Sequence, residues 1–176
     1  MALIRKQEAE AAMQFLGASL TILRFPDLGL PFVPLQELVA AVLPIVREVG
    51  ADALFSFHPK EITNYFDHPD HNRAGEVAKY VRAAADVAHY MPKSAALKKR
   101  PELYLWTTKK QKMKIHLSEQ TRAHRNDYLT KCYPSQFSTE TKEVWGAIFD
   151  DITNEKHKTN EGKLHTERYK RVKSNK

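Results

Sequence analysis

The sequence predicts a one-domain α/β fold that is Rossmann-like, with a mainly parallel sheet covered by helices on both faces. Three observations support this prediction. Predicted helices and strands alternate along the chain, the segment 52–57 is almost entirely apolar, and 176 residues suit one domain. The alternation begins with a helix, whereas such a sheet normally begins with a strand. The N-terminal strand is therefore expected to be missing.

Helices are predicted where good helix formers place apolar residues at helical spacing. Ala2–Leu16 has this composition, and Gly17 is a suitable C-cap. A second helix is predicted over 35–49, with Pro44 expected to kink it or to shift its start. The remaining predicted helices run from His71 or Asn72 to about His89, over 119–131 and over 139–151.

Strands are predicted where short runs are apolar and β-branched, or alternate between apolar and charged residues. The predicted strands are 20–23, 52–57, 103–106 and 112–117. Because 52–57 (DALFSF) has almost no polar residue, it is expected to be covered on both faces of the sheet.

Charge divides the chain into two parts. Residues 1–92 hold 8 Lys and Arg against 11 Asp and Glu, whereas residues 93–176 hold 20 against 10. We expect a domain over 1–152 and a basic polar tail over 153–176, with one short structured piece near Tyr169. The basic residues are spread out rather than grouped in one block, so nucleic acid is not the expected partner.

Composition also bounds the compartment. Cys132 is the single cysteine, which excludes an intrachain disulfide and fits a reducing, cytoplasmic location. Glu8 and Glu10 lie where a signal peptide would have its apolar run. The sequence has no stretch of 18 apolar residues, so no membrane span is expected.

Residues 67–71 (DHPDH) hold two imidazoles and two carboxylates between an apolar strand and the following helix. In an open α/β sheet this position is the carboxyl end of a strand, where active sites lie. One histidine can bind a metal while the other stays free as an acid, and Asp70 is near enough to fix a tautomer. The alternative is structural: Asp67 or Asp70 caps the helix, and both histidines lie on the surface.

The segment 66–75 (FDHPDHNRAG) resembles the second signature of the LmbE/PIG-L zinc-dependent N-deacetylases, in which His-Pro-Asp-His is followed by a small residue and a glycine. Other segments are similar to further parts of that family. Residues 5–17 resemble its Arg-x-x-Glu-x-x-x-Ala helix ending in Leu-Gly, and 25–30 resemble its Pro-Asp loop. Residues 131–136 (KCYPSQ) and 167–169 resemble its Ser-Gln segment and its acidic-aromatic ending.

The resemblance implies a hydrolase that removes an N-acetyl group from an N-acetylglucosamine-like glycoconjugate with a zinc-activated water. It implies that His71 is a Zn²⁺ ligand, that His68 stabilises or protonates the tetrahedral intermediate, and that Asp70 orients His68. The early His-Pro-Asp-Asp motif, which supplies the family's other two zinc ligands and its base, does not occur in the sequence. The other His-Pro pair begins at His58 and continues with Lys60, so His58 is interpreted as a loop residue.

An N-terminally incomplete deacetylase is therefore expected, acting on a small-molecule amino-sugar conjugate. Two alternatives stay open: a truncated, non-catalytic remnant of the fold, and a basic binding module for phosphate-bearing polymers. In isolation the chain is expected to bind zinc weakly and to expose apolar surface. It should then self-associate, or require a partner that supplies the missing motif.

Overall fold

The computed structural model describes residues 2–60, 68–91, 93–106, 113–137 and 165–171. Its elements are α1 Ala2–Leu16, α2 Leu35–Glu48, β1 Ala53–Phe57, α3 Pro69–Ala84, β2 Glu102–Trp106, β3 Met113–Leu117, α4 Glu119–Cys132 and β4 His165–Arg171. A short 3-10 turn, Leu30–Phe32, precedes α2. The α/β class predicted from the sequence is confirmed. The predicted helix 139–151 lies outside the described residues.

The described strands form one sheet in the order β1-β2-β4-β3. β1 and β2 are parallel, with Leu54 opposite Leu103. β2 and β4 are antiparallel, with Tyr104 opposite Arg171. β4 lies inside the segment 153–176, at the place where the sequence predicts a short structured piece. Parallel pairing is thus found between β1 and β2, and β4 adds an antiparallel pair.

The chain divides into two compact units. One unit contains Leu23–Lys114 and Arg168–Lys176. Its α2 and α3 enclose one apolar cluster, because their buried residues recur at helical spacing. The buried members of the cluster are Leu38, Val39, Leu43, Val46, Val77, Val81 and Ala85. Together with β1 and β2, these helices form the scaffold that positions the candidate site.

The other unit contains Met1–Ile22 and Ile115–Glu167, and in it α1 packs against α4. Phe15 of α1 contacts the rings of His124 and Tyr128, with centroid distances of 4.8 and 5.6 Å. α1 has the bounds that the sequence predicts, and Gly17 follows it with φ +63°, the left-handed conformation of a glycine C-cap.

Arg47 of α2 explains why α3 ends at Ala84, earlier than predicted. The Arg47 side chain is almost fully buried and donates hydrogen bonds to carbonyl groups at and beyond the end of α3. Its acceptors are the backbone oxygens of Ala84, Ala85, Val87, Met91 and Ser94, at 2.7 to 3.2 Å. Because a guanidinium group satisfies these carbonyls, the chain can leave the helix without losing their hydrogen bonds.

Two predictions for strands are wrong. Residues 18–26 have no regular secondary structure, and the side chains of Leu20 and Ile22 are exposed. An apolar, β-branched run forms a strand only where a neighbouring strand pairs with it, and none of the described strands pairs with 20–23. β1 is not covered on both faces, since Phe55 is 63% exposed and stacks on Tyr104.

Among the described residues, no helix combines the length and the apolar character that crossing a membrane requires.

Candidate functional site

The candidate site lies where β1 ends and α3 begins. His68 is the N-cap of α3, and its Nδ1 accepts a hydrogen bond from the backbone N–H of Asp70 at 3.3 Å. Pro69 is the first helical residue, where the missing N–H costs nothing. The cap is therefore His68 rather than Asp70, and α3 starts two residues earlier than the prediction of His71 allowed. Asp67, the other predicted cap, lies outside the described residues.

Gly75 allows α3 to approach the end of β1 closely. A Cβ atom at Gly75 would meet the carbonyl oxygen of Phe57 and would lie 3.0 Å from the backbone nitrogen of Pro59. Only glycine fits this approach without a shift of backbone atoms. The contact explains physically why a glycine follows the two histidines in the segment 66–75.

The close packing brings the two predicted histidines together. The ring of His71 stacks on the ring of Phe57, with a centroid distance of 3.8 Å and an interplanar angle of 6°. The rings of His68 and His71 are 4.7 Å apart. Residues three apart at the start of a helix lie on one face, which explains why the rings of His68 and His71 meet.

The environment of His71 favours a neutral imidazole. Burial lowers the pKa of His71, the nearby His68 lowers it further, and Asp70 opposes both effects. The Nδ1 atom of His71 is buried and has no hydrogen-bond partner among the residues that the structure describes. A neutral imidazole with an unused nitrogen is the form that binds a metal ion. The donor chemistry of His71 thus fits one zinc ligand.

Asp70 directs its carboxylate toward the loop 26–30. One oxygen accepts from the backbone N–H of Leu28 at 2.8 Å, and the other accepts from that of Leu30 at 3.1 Å. The carboxylate also lies close to His68 and to Asp27: one ligand atom from each of the three residues lies within 4.8 Å of the others.

Asp27 is a residue that the sequence analysis did not place in the site. The one sequence feature that could have indicated Asp27 was the resemblance of residues 25–30 to the family's Pro-Asp loop. An imidazole nitrogen and two carboxylate oxygens are donors that zinc accepts.

A cavity of about 540 Å³ lies in the same unit and includes Asp27 and Asp70 in its wall. The rest of the wall comes mainly from apolar side chains of α2, α3, β1 and the segment 23–30. A volume of this size is in the range of small-molecule sites. Asp27 and Asp70 therefore line an apolar cavity, and together with His68 they form a group that we call the histidine cluster.

His58 follows β1 and is buried. Its backbone N–H donates to the carbonyl of Trp106 at 2.9 Å, and its Nδ1 accepts from the N–H of Lys60 at 3.2 Å. These bonds hold the chain at the end of β1 and agree with the interpretation of His58 as a loop residue.

In the other unit, the network around Glu8 connects two segments singled out in the sequence. The buried carboxylate of Glu8 accepts from the N–H and the hydroxyl of Ser135 at 2.7 and 2.9 Å, and from Arg5 at 2.7 Å. Desolvation by burial raises the pKa of Glu8, but the bonds from Ser135 and Arg5 outweigh it, so the pKa lies below its usual value. The Arg-x-x-Glu helix and the Ser-Gln segment therefore contact each other through Glu8.

Comparison with known proteins gives one family and several similar folds. Residues 1–82 match the sequence model of PIG-L, described as GlcNAc-PI de-N-acetylase. No curated protein sequence matches the chain. Among solved structures, N,N'-diacetylchitobiose deacetylase from Pyrococcus horikoshii has a TM-score of 0.78 at 21% identity, over 97% of this chain. The match covers 64% of that deacetylase, so the chain spans less than two thirds of its length.

Two further structures have similar folds. GalB, the 4-carboxy-2-hydroxymuconate hydratase from Pseudomonas putida, has a TM-score of 0.68 at 17% identity, over 98% of this chain and 72% of its own. The conserved protein TT1542 from Thermus thermophilus has a TM-score of 0.66 at 21% identity, over 96% of this chain and 73% of its own. At these identities the likeness shows the fold alone.

Proposed function

Because residues 1–82 match the sequence model of the PIG-L family, we propose that the protein is a zinc-dependent N-deacetylase. Its proposed substrate is a small-molecule conjugate of N-acetylglucosamine or a similar amino sugar, from which it removes the acetyl group by hydrolysis. One observation carries the proposal. His68 and His71 meet at the carboxyl end of β1, and His71 has a buried nitrogen that no described group uses.

The two histidines take different roles in this proposal. The lowered pKa of His71 keeps the ring neutral, so the ring can act as a metal ligand at neutral pH. His68 accepts a hydrogen bond at Nδ1, which leaves the proton of its neutral form on Nε2. That Nε2–H can donate to the oxyanion that develops when an amide carbonyl is attacked. The resemblance gives Asp70 the role of orienting His68; in this proposal Asp70 does so through its backbone N–H, which donates to Nδ1, while its carboxylate accepts from Leu28 and Leu30.

Zinc, when bound, supplies a water acidic enough to act near neutral pH and polarises the amide carbonyl. A catalytic zinc needs three protein ligands, and His71 is one. We propose that the other two ligands and the base come from a segment carrying the family's His-Pro-Asp-Asp motif. In terms of fold, the proposal is a Rossmann-like sheet that lacks the strand bearing this motif.

We also propose a cellular location and a domain division for the protein. The free and buried thiol of Cys132 supports a reducing, cytoplasmic location. The division into a deacetylase domain over 1–152 and a basic tail over 153–176 stays a prediction.

The test is acetate release from N-acetylglucosamine conjugates. It is run on the chain alone and on the chain completed with a His-Pro-Asp-Asp segment, in the same polypeptide or as a partner. The completed protein should release acetate, and His68→Ala should reduce turnover by roughly 10²- to 10³-fold, the usual loss of one oxyanion donor. His89→Ala, which removes an exposed histidine beyond the end of α3, is the matched control and should change nothing. A completed protein that binds zinc but releases no acetate contradicts the proposal and favours a non-catalytic remnant.

A further inference from the structure

The loop 26–30 has a strained and tight conformation. Leu28 has φ +57°, a left-handed conformation that is unfavourable for a residue with a branched side chain. The N–H of Gly29 donates to the carbonyl of Pro26 at 3.1 Å, and a Cβ atom at Gly29 would meet the ring of Pro26. Such a turn persists only where other groups hold it.

The first turns of α3 provide that hold. Asp70 accepts hydrogen bonds from the N–H groups of Leu28 and Leu30, one on each carboxylate oxygen. Three residues later, the Nη2 atom of Arg73 donates to the carbonyl of Val33 at 2.8 Å. Bonds from backbone N–H groups to a carboxylate are among the stronger hydrogen bonds in proteins. Both ends of the segment 28–33 are therefore fixed to α3.

Asp27 depends on this arrangement for its place. The residue is exposed and belongs to the turn, and its carboxylate lies within 4.8 Å of a ligand atom of His68 and one of Asp70. The hydrogen bonds that fix the turn are made by its neighbours and by Asp70. If the turn opened, the carboxylate of Asp27 would leave the histidine cluster.

We propose that Asp70 is a positioning residue that holds the loop 26–30 and thereby keeps the carboxylate of Asp27 beside His68. Asp70 acts here on Asp27 through the backbone of Leu28 and Leu30. This is distinct from the direct orientation of His68 that the family resemblance implies. The inference rests on the proposed function only for the use of the site, since the loop and its anchor are properties of the chain itself.

The experiment uses NMR on the full chain, without zinc or substrate. In Asp70→Asn the amide carries one oxygen, so one of the two N–H groups loses its acceptor and meets an NH₂ group. Hydrogen exchange should become about 10- to 100-fold faster at the amide that loses its acceptor, the usual effect of losing a hydrogen bond to a charged group, and it should also become faster at the other amide as the turn opens. Asp86→Asn, which removes a carboxylate just beyond α3 that pairs with Arg100, is the matched control and should leave both amides protected.

The action through Asp27 is tested with a double-mutant cycle on the ring resonances of His68. Asp27→Asn should shift these resonances in the otherwise unchanged chain. The same substitution should have no effect in the Asp70→Asn background, because Asp27 has already left the cluster. Equal shifts in both backgrounds, or unchanged exchange at Leu28 and Leu30, would overturn the inference.

Gly29→Ala provides a second route if Asp70→Asn does not fold. It breaks the turn from within and leaves Asp70 in place, so Asp27→Asn should again have no effect on His68. A retained effect of Asp27→Asn in this background also overturns the inference. Because these signals need neither zinc nor turnover, they can fail while acetate release is observed, and the reverse also holds.

Discussion

Replacing Gly75 with alanine tests whether the close approach of α3 to β1 builds the site. Two effects oppose each other. Alanine is favoured over glycine in a helix by about 1 kcal/mol. The new Cβ would meet the carbonyl oxygen of Phe57 and lie 3.0 Å from the backbone nitrogen of Pro59. Overpacking of this kind costs about 1–3 kcal/mol, and backbone atoms yield less easily than a flexible side chain.

Because backbone atoms are the obstacle, the upper part of that range, about 2–3 kcal/mol, applies. After the gain of about 1 kcal/mol in helix propensity, we expect Gly75→Ala to lower the free energy of unfolding by about 1–2 kcal/mol. In a thermal melt this is a decrease in Tm of roughly 2–8 °C. Because the clash lies one turn after His71, the ring protons of His71 should also lose part of the ring-current shift from Phe57. Both quantities can be measured on the same sample, by calorimetry and by NMR.

The control for helix propensity is Ala83→Gly, at an exposed position of the same helix. It should destabilise the protein by about 1 kcal/mol and leave the ring protons of His71 unchanged. If Gly75→Ala instead melts at or above the wild-type temperature, helix propensity outweighs the contact. The close approach of α3 to β1 would then not be what sets the position of His71.

Three further predictions concern titration and buried hydrogen bonds. The pKa of folded His71 lies below 6.5, so the unfolded chain binds the proton at a higher pH than the folded chain, and the free energy of unfolding decreases as the pH falls below about 6.5. Thermal melts of His71→Phe should lack this decrease, and a dependence of Tm on pH equal to that of the wild type would contradict the prediction. Arg47→Met removes the donor for five carbonyls and should cost roughly 3–5 kcal/mol in a denaturant titration; a cost under about 1 kcal/mol would show that water replaces the guanidinium. Because the pKa of folded Glu8 is lowered, its carboxylate stabilises the protein above about pH 4.5, and this stabilisation is lost as the pH falls through the folded pKa. Glu8→Gln should therefore lower Tm at neutral pH, and the Tm values of variant and wild type should approach each other in acid. A difference in Tm that does not change with pH would refute this.

The sequence predicts elements best where local chemistry decides. α1 has the predicted bounds because helix formers fill it and Gly17 can adopt a positive φ after it. The ends of α3 were missed because they depend on side chains that composition does not reveal. His68 acts as the N-cap of α3. At the other end of α3, the carbonyl groups accept hydrogen bonds from Arg47, which lies on a helix almost forty residues earlier in the chain. The run 20–23 has strand propensity, but none of the described strands pairs with it.

The candidate site was predictable in part. His68, Asp70 and His71 lie in one short segment, so their proximity follows from the chain itself. Asp27 enters the cluster only because Asp70 accepts from an amide 42 positions earlier. The spacing of residues in a single sequence cannot predict a hydrogen bond between residues so far apart in the chain. The glycine at 75 was visible as part of a motif, but its reason, the backbone of Phe57, needed coordinates.

Zinc content tests the central claim most directly, measured by elemental analysis on the protein completed with a His-Pro-Asp-Asp segment. The account predicts one zinc per site, with zinc retained in His68→Ala and lost in His71→Ala. The chain without the added segment should hold little zinc. Stoichiometric zinc in the short chain, retained in His71→Ala and lost in Asp27→Ala, would contradict the account and assign the metal to Asp27, His68 and Asp70 instead.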